Sequence, residues 1–250
     1  MPFTFSHPAL VLPLKYLPTH WFSFTGLIIG SMVPDFEYFI RMRIQSTFSH
    51  TLTGLLWFDL PLGLLLAIIF HNIVKDRLIE NMPKILKSRL EALRLFDWNS
   101  YFIKNWYIVI ISILIGAASH IFWDSFTHNS GYFVQRIPWL SQQVEIPGLQ
   151  IPVSNIIQHL STLFGGLVIA FVIWKLPVSE NIDLQIRAKY WIIFTLLMLI
   201  IVVLRFLTGL EIRQYGNVIV TVISASLISL TLTPLLMNKK LTGDNISNSQ

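Results

Sequence analysis

Five long apolar stretches, at about 51–70, 105–123, 154–174, 190–208 and 217–238, follow one another along the chain with polar segments between them. Each is close to the roughly 20 residues that a helix needs to cross the hydrocarbon of a bilayer. A sixth stretch, FSFTGLIIGSMVPDF at 22–36, is shorter and holds Gly26, Gly30 and Pro34. Broken backbone at membrane depth needs protein or water around it, so this segment predicts a re-entrant or half-helix. The pattern therefore predicts an all-α, polytopic transmembrane bundle of about five spanning helices plus this N-terminal half-helix.

Composition agrees, with 54% hydrophobic residues, 12% charged residues and a mean hydropathy of +0.63, far from a soluble globular domain. No Pro-, Gly- or Ser-rich linker divides the chain, so residues 1–250 read as one integral membrane domain. Within it 1–175 carries the candidate chemistry, and 176–250 adds two generic helices and a polar tail. The N-terminus has no basic segment ahead of a clean apolar run, and Pro8, Pro13 and Pro18 interrupt it. It is expected to stay in the mature protein rather than act as a signal peptide. The absence of cysteine removes disulfides, thiolate ligands and a Cys nucleophile from consideration.

The net charge of +5 lies mostly in the loops, where membrane topology explains it better than nucleic acid does. Lys75, Arg77, Lys84, Lys87, Arg89, Arg94 and Lys104 in the 72–104 loop, Lys175, Arg187 and Lys189 in the next basic loop, and Lys239 and Lys240 in the tail place these segments in the cytoplasm. Alternation then puts the 124–153 loop and everything before His50 outside, although Arg41 and Arg43 run against this. Met82, Ile85, Leu86, Leu90, Leu93 and Phe96 recur at helical spacing between basic residues, which predicts an amphipathic helix on the inner membrane surface. Trp21, Trp123 and Trp139 read as interfacial anchors, and His20 and His71 as interfacial residues.

This topology brings His7, Asp35, Glu37, His50, Asp124, His128 and His159 to the outer ends of helices, with His120 one turn inside. Ionisable groups at membrane depth are costly and need partners or water, so their convergence suggests a shared site. In SHIFWDSFTH, His120 and Asp124 are four residues apart and face one side of a helix, as two ligands of one ion would. His128 lies about 12 Å further along an unbroken helix. It reaches the same ion only if HNSG ends the helix, and otherwise serves a second one. The tetrapeptide TFSH occurs at 4–7 and again at 47–50. In each copy a hydroxyl residue stands where an N-cap would, which would deliver a neutral imidazole in the first helical turn. In GSMVPDFEYF, Gly30 and Pro34 break the half-helix just before Asp35 and Glu37. One of these carboxylates would ligate or act as a base, while Glu37 more readily reads as a solvated partner of Arg41. His120 and Asp124 also admit a plainer reading, as a hydrogen-bonded pair joining two helices.

The blocks MPFTFSHPALVLPL, GLIIGSMVPDFEYFIRMR, FSHTLTGLLWFDLPLGLLL and GAASHIFWDSFTH resemble those of an uncharacterised bacterial integral-membrane family, a domain of unknown function, over about the first 175 residues. More distantly, the order His, Pro-Asp, Ser-His-Thr, His-x-x-x-Asp is similar to the membrane-bound metal-dependent hydrolases, whose helical core resembles zinc-dependent phospholipase C. The resemblance implies that His7, Asp35, His50, His120 and Asp124 are metal ligands; His128 joins them as a candidate from its spacing. It departs from phospholipase C at His159, which is followed four residues later by Leu163 rather than by an acid. The expectation is a multi-pass protein of the bacterial cytoplasmic membrane that binds a divalent metal, zinc foremost. It would hydrolyse a phosphoester or ester of a lipid or lipid-linked substrate at the outer face, with Asp35 or Asp124 as the proton acceptor. The alternative is a non-catalytic membrane protein with a structural metal site or a buried His/Asp seam. Neither nucleic acid nor a protein partner is indicated.

Overall fold

The computed structural model describes residues 3–18, 20–146, 148–180 and 187–237. Lys239 and Lys240 of the tail lie outside the described residues. The chain is almost entirely helical, and five helices are long and apolar enough to cross a membrane: α2 (Leu55–Glu80), α4 (Trp98–Thr127), α5 (Val153–Trp174), α6 (Ala188–Leu207) and α7 (Tyr215–Met237). Two further helices matter here, the half-helix α1 (Phe24–Met32) and α3 (Lys84–Arg94). The protein is a multi-pass helical membrane protein.

Each predicted apolar stretch falls on a helix, but α2 and α4 extend beyond theirs. α4 starts at Trp98 because the Asp97 carboxylate accepts from the Ser100 N–H at 3.1 Å, an N-cap. A kink at Asn105 (φ −127°, ψ 27°) separates this polar first turn from the apolar stretch. At the other end α4 stops at Thr127, with His128 in extended backbone. A hairpin of β1 (Gln143–Ile146) and β2 (Leu149–Pro152) follows, which hydrophobic periodicity did not signal.

The described residues form two compact units. The first comprises 1–41, 45–67 and 95–178, and the second 42–44, 68–94 and 179–250. In the first, α1 packs along α4 with its N-terminus capped by Ser23, whose side chain accepts from Gly26 N–H at 3.2 Å. The helices touch backbone to backbone. A Cβ on Gly30 would strike the Ile113 carbonyl, and one on Gly116 would come within 2.5 Å of the Leu27 carbonyl oxygen. Ile29, Ala67, Trp98, Val109 and Ile113 close the core beside this seam.

In the second unit α6 packs on α7. Arg94 binds Glu80 at 3.1 Å and Glu91 at 2.8 Å, so α3 is tied to the end of α2 by ion pairs. Ile85, Leu86 and Leu93 of α3 are exposed, as an interfacial amphipathic helix requires.

Candidate metal centre

Three segments of the first unit bring four polar residues together. Asp35 sits in the 3-10 turn Val33–Asp35 that ends α1, because Pro34 cannot continue the helical hydrogen bonding. His120 and Asp124 occupy one face of α4, and His50 comes from the loop before α2. One ligand atom from each of Asp35, His50, His120 and Asp124 lies within 4.8 Å of the others, so this group could hold a metal ion. Asp35 and His120 are fully buried.

The facing distances are informative. His120 Nε2 lies 3.5 Å from Asp35 Oδ1 and 3.3 Å from Asp124 Oδ2, and His50 Nε2 lies 3.6 Å from each of the same two oxygens. Charge-assisted hydrogen bonds would be about 2.7–2.9 Å. Arms of about 2.0–2.2 Å meeting at a tetrahedral centre place neighbouring ligand atoms about 3.3–3.6 Å apart. None of these atoms has a hydrogen-bond partner among the described residues, although buried polar groups almost always do.

The outer partners orient the ligands. His120 Nδ1 lies 2.7 Å from the Ser31 carbonyl. A carbonyl only accepts, so Nδ1 carries the proton, and the neutral ring would present its Nε2 lone pair to the group. Thr4 Oγ1 donates to Asp35 Oδ2 at 2.5 Å, leaving Oδ1 turned inward. The hydroxyls of Ser46 and Ser49 each lie 3.0 Å from His50 Nδ1. The residues present fit a divalent cation in donor type, tautomer and spacing.

His7 and His128 stand on the other side of Asp124, His7 Nε2 and His128 Nδ1 each 3.6 Å from Oδ1. The His7 ring stacks on that of His120 with centroids 3.7 Å apart, and neither of its nitrogens has a hydrogen-bond partner among the described residues. Burial pushes the His7 imidazole down to about 3 against the pull of Asp124 and Asp35, so the ring is neutral. His128 Nδ1 lies 3.1 Å from the Asp124 carbonyl. His159 is exposed and outside the group.

The two TFSH copies do different work, and neither is the side-chain N-cap that the repeat suggested. In the first, Thr4 serves Asp35 and Ser6 donates to the Thr162 carbonyl at 3.0 Å. In the second, the N–H groups of Thr47, Phe48 and Ser49 all point at Glu37, each at 2.9 Å. Glu37 does pair with Arg41, at 2.8 Å, but it is 2% exposed rather than solvated. Burial would raise its carboxyl; the three N–H groups and Arg41 outweigh this and hold it down at about 2. Glu37 is thus a cradle that fixes the loop delivering His50.

An apolar cavity of about 410 Å³ adjoins the site, lined by Leu10, Phe122, Trp123, Phe126, Thr127 and Ile157 among others. The Thr127 hydroxyl lies 3.4 Å from His128 Nδ1. Asp59 of α2 was not singled out from the sequence, yet it is fully buried. The one available signal was a lone carboxylate inside the apolar run LLWFDLPLG.

The family model for the domain of unknown function DUF4184 matches residues 1–235. The chain belongs to this family. The match takes in both C-terminal helices as well as the segments that build the candidate metal centre. No curated protein and no solved structure matches the chain.

Proposed function

We propose that this DUF4184 protein is a membrane-bound, metal-dependent hydrolase acting on a phosphoester or ester of a lipid or lipid-linked substrate. The observation that carries the reading is the convergence of Asp35, His50, His120 and Asp124, with Nε2 of His120 forced by the Ser31 carbonyl to face two carboxylates. Two carboxylates and two imidazoles balance a divalent cation in charge, zinc being the ion that such donors commonly hold. A cation there would supply Lewis-acid polarisation of the ester. Asp35, pinned by Thr4, holds position. Asp124 turns Oδ2 to the ligand group and keeps Oδ1, between His7 and His128, as the oxygen to accept a proton. His7 and His128 extend the ligand set on that side.

The apolar cavity beside Thr127 supports a lipid-borne substrate, because a hydrocarbon chain seated there would bring its headgroup toward His128 and Asp124. The basic residues of 72–104 and of the 175–189 loop support a cytoplasmic 72–104 segment and C-terminus, and alternation along the chain supports a site that opens to the outer face of the bacterial cytoplasmic membrane.

The test is metal analysis of protein purified in detergent without a histidine tag, followed by a phosphoesterase screen with and without chelator. Near-stoichiometric zinc or manganese, lost in His120→Ala and Asp124→Ala, is expected, with turnover that chelation abolishes. A folded wild type that stays metal-free after incubation with both ions overturns the metal reading. Metal without turnover on any phosphoester or ester leaves the non-catalytic reading, and metal-independent turnover refutes the mechanism.

A further inference from the structure

Asn81 ties three helices of the second unit together. Its Nδ2 donates to the Arg77 carbonyl of α2 at 2.8 Å, its Oδ1 accepts from the Arg187 N–H ahead of α6 at 3.1 Å, and its carbonyl accepts from Trp191 Nε1 at 2.8 Å. α3 begins just beyond, at Lys84. The junction thus gathers Lys84, Arg187 and Lys189, all exposed, at one end of the unit. The acids of 75–94 are already engaged: Asp76 lies 3.7 Å from Lys75, Glu80 binds Arg77 at 3.2 Å and Arg94 at 3.1 Å, and Glu91 binds Arg94 at 2.8 Å. Lys84, Arg187 and Lys189 form no ion pair among the described residues.

The surface beside these cations is apolar. Ile85 and Leu86 follow Lys84 and are exposed, and exposed Ile192 shares the Lys189 side of α6. α3 turns polar groups inward instead. Lys87 and Ser88 are buried, and Lys87 Nζ donates to the Glu80 carbonyl at 2.9 Å. A helix facing water would do the reverse, so the outer side of α3 suits hydrocarbon. The half-buried Trp191 is of the residue type that collects at headgroup level.

We propose that the Asn81 junction is a binding site for an anionic phospholipid, whose phosphate pairs with Lys84, Arg187 and Lys189 and whose acyl chains lie against Ile85, Leu86 and Ile192. Basic pockets between spanning helices hold anionic headgroups, each cation being worth about fivefold in affinity. A free phosphate would satisfy the cations but leave the three apolar side chains uncovered. A zwitterionic lipid would cover those side chains but bring no net charge to the cations. An anionic lipid does both. The site lies wholly in the second unit, and the assignment stands apart from the metal reading.

The experiment titrates the detergent-solubilised full chain with dioleoyl phosphatidylglycerol and counts bound lipid by native mass spectrometry, with dioleoyl phosphatidylcholine and inorganic phosphate as controls. Phosphatidylglycerol is expected to bind about tenfold or more tightly than phosphatidylcholine. Lys84→Gln, Arg187→Gln and Lys189→Gln should each weaken it about fivefold, with lipid-free thermal unfolding unchanged. If one variant fails to fold, the other two decide. Equal binding of the two lipids overturns the proposal, as does undiminished phosphatidylglycerol affinity in the folded variants. Inorganic phosphate that displaces phosphatidylglycerol at equal concentration makes the site one for a free anion and overturns the lipid assignment. A lipid-free dimer that Ile85→Arg dissociates shows this face covered by a second copy, and overturns it too.

Discussion

Replacing Glu37 by Gln tests whether the cradle around the His50 loop is as important as the ligands. Glu37 Oε1 accepts from the Thr47 N–H at 2.9 Å and from Arg41 Nε at 3.0 Å; Oε2 accepts from the N–H groups of Phe48 and Ser49 at 2.9 Å each and from the Ser46 hydroxyl at 3.1 Å. Donors face both oxygens. Whichever way an amide is turned, its NH2 group therefore meets donors, and a side chain only 2% exposed leaves no room for water to replace the lost bonds. Holding the carboxyl at about 2 rather than 4.5 is worth about 3.5 kcal/mol at about 1.4 kcal/mol per pH unit. Breaking a buried charged network costs about 3–5 kcal/mol. Taking about 2–4 °C per kcal/mol for a chain of this size, the unfolding midpoint at neutral pH should fall by roughly 6–20 °C. The sign with pH follows from the depressed folded value. The stabilisation is complete above the unfolded value of 4.5 and is lost as the pH falls toward about 2, so wild type and variant converge over that interval. Thermal melts of both proteins in detergent across this range provide the measurement. Coincident midpoints at neutral pH, or a gap that does not narrow on acidification, would refute the cradle.

Three further outcomes follow from the same geometry. Thr4→Val removes the hydroxyl that donates to Asp35 Oδ2 and should weaken zinc binding about tenfold or more, with Thr4→Ser restoring it, as read by chelator competition. Gly116→Ala places a Cβ within 2.5 Å of the Leu27 carbonyl oxygen, so it should destabilise by about 1–3 kcal/mol in thermal melts and weaken zinc binding by parting His120 from Ser31. Zinc at about 100 times its Kd should stabilise the wild type by about 2.7 kcal/mol, raising its melting midpoint, and should leave that of His120→Ala unmoved.

The spanning helices were legible because each is a long apolar run, and the His120–Asp124 pair because a helix fixes i and i+4 on one face. The half-helix was legible from Gly30 and Pro34. What the pattern could not show is how segments distant in sequence complete one another. Thr4 and Asp35 are 31 residues apart, and Ser31 and His120 are 89 apart. The TFSH repeat misled for the same reason. Identical letters sit in different surroundings, one against Asp35 and the other on Glu37, and the surroundings assign the roles. Asp59 escaped notice because a single carboxylate has no periodicity to reveal it.

The outer contacts explain how such a centre can exist before any cation arrives. Two carboxylates and two imidazoles brought this close would drift apart if only side-chain packing held them. Here Asp35, His50 and His120 are instead each tied to something stiff. His120 is fixed by a backbone carbonyl of α1, and α1 is locked on α4 by the glycine contacts at Gly30 and Gly116. His50 hangs from a loop whose N–H groups are bound to Glu37, and Glu37 lies two residues from Asp35 on the same short segment. Since Asp35 and the anchor of His50 move as one piece, and His120 and Asp124 as another, ordering the four ligands reduces to docking two rigid parts. Folding of the first unit supplies that docking, so little ordering cost would be left for a cation to meet, and preorganisation of this kind raises affinity.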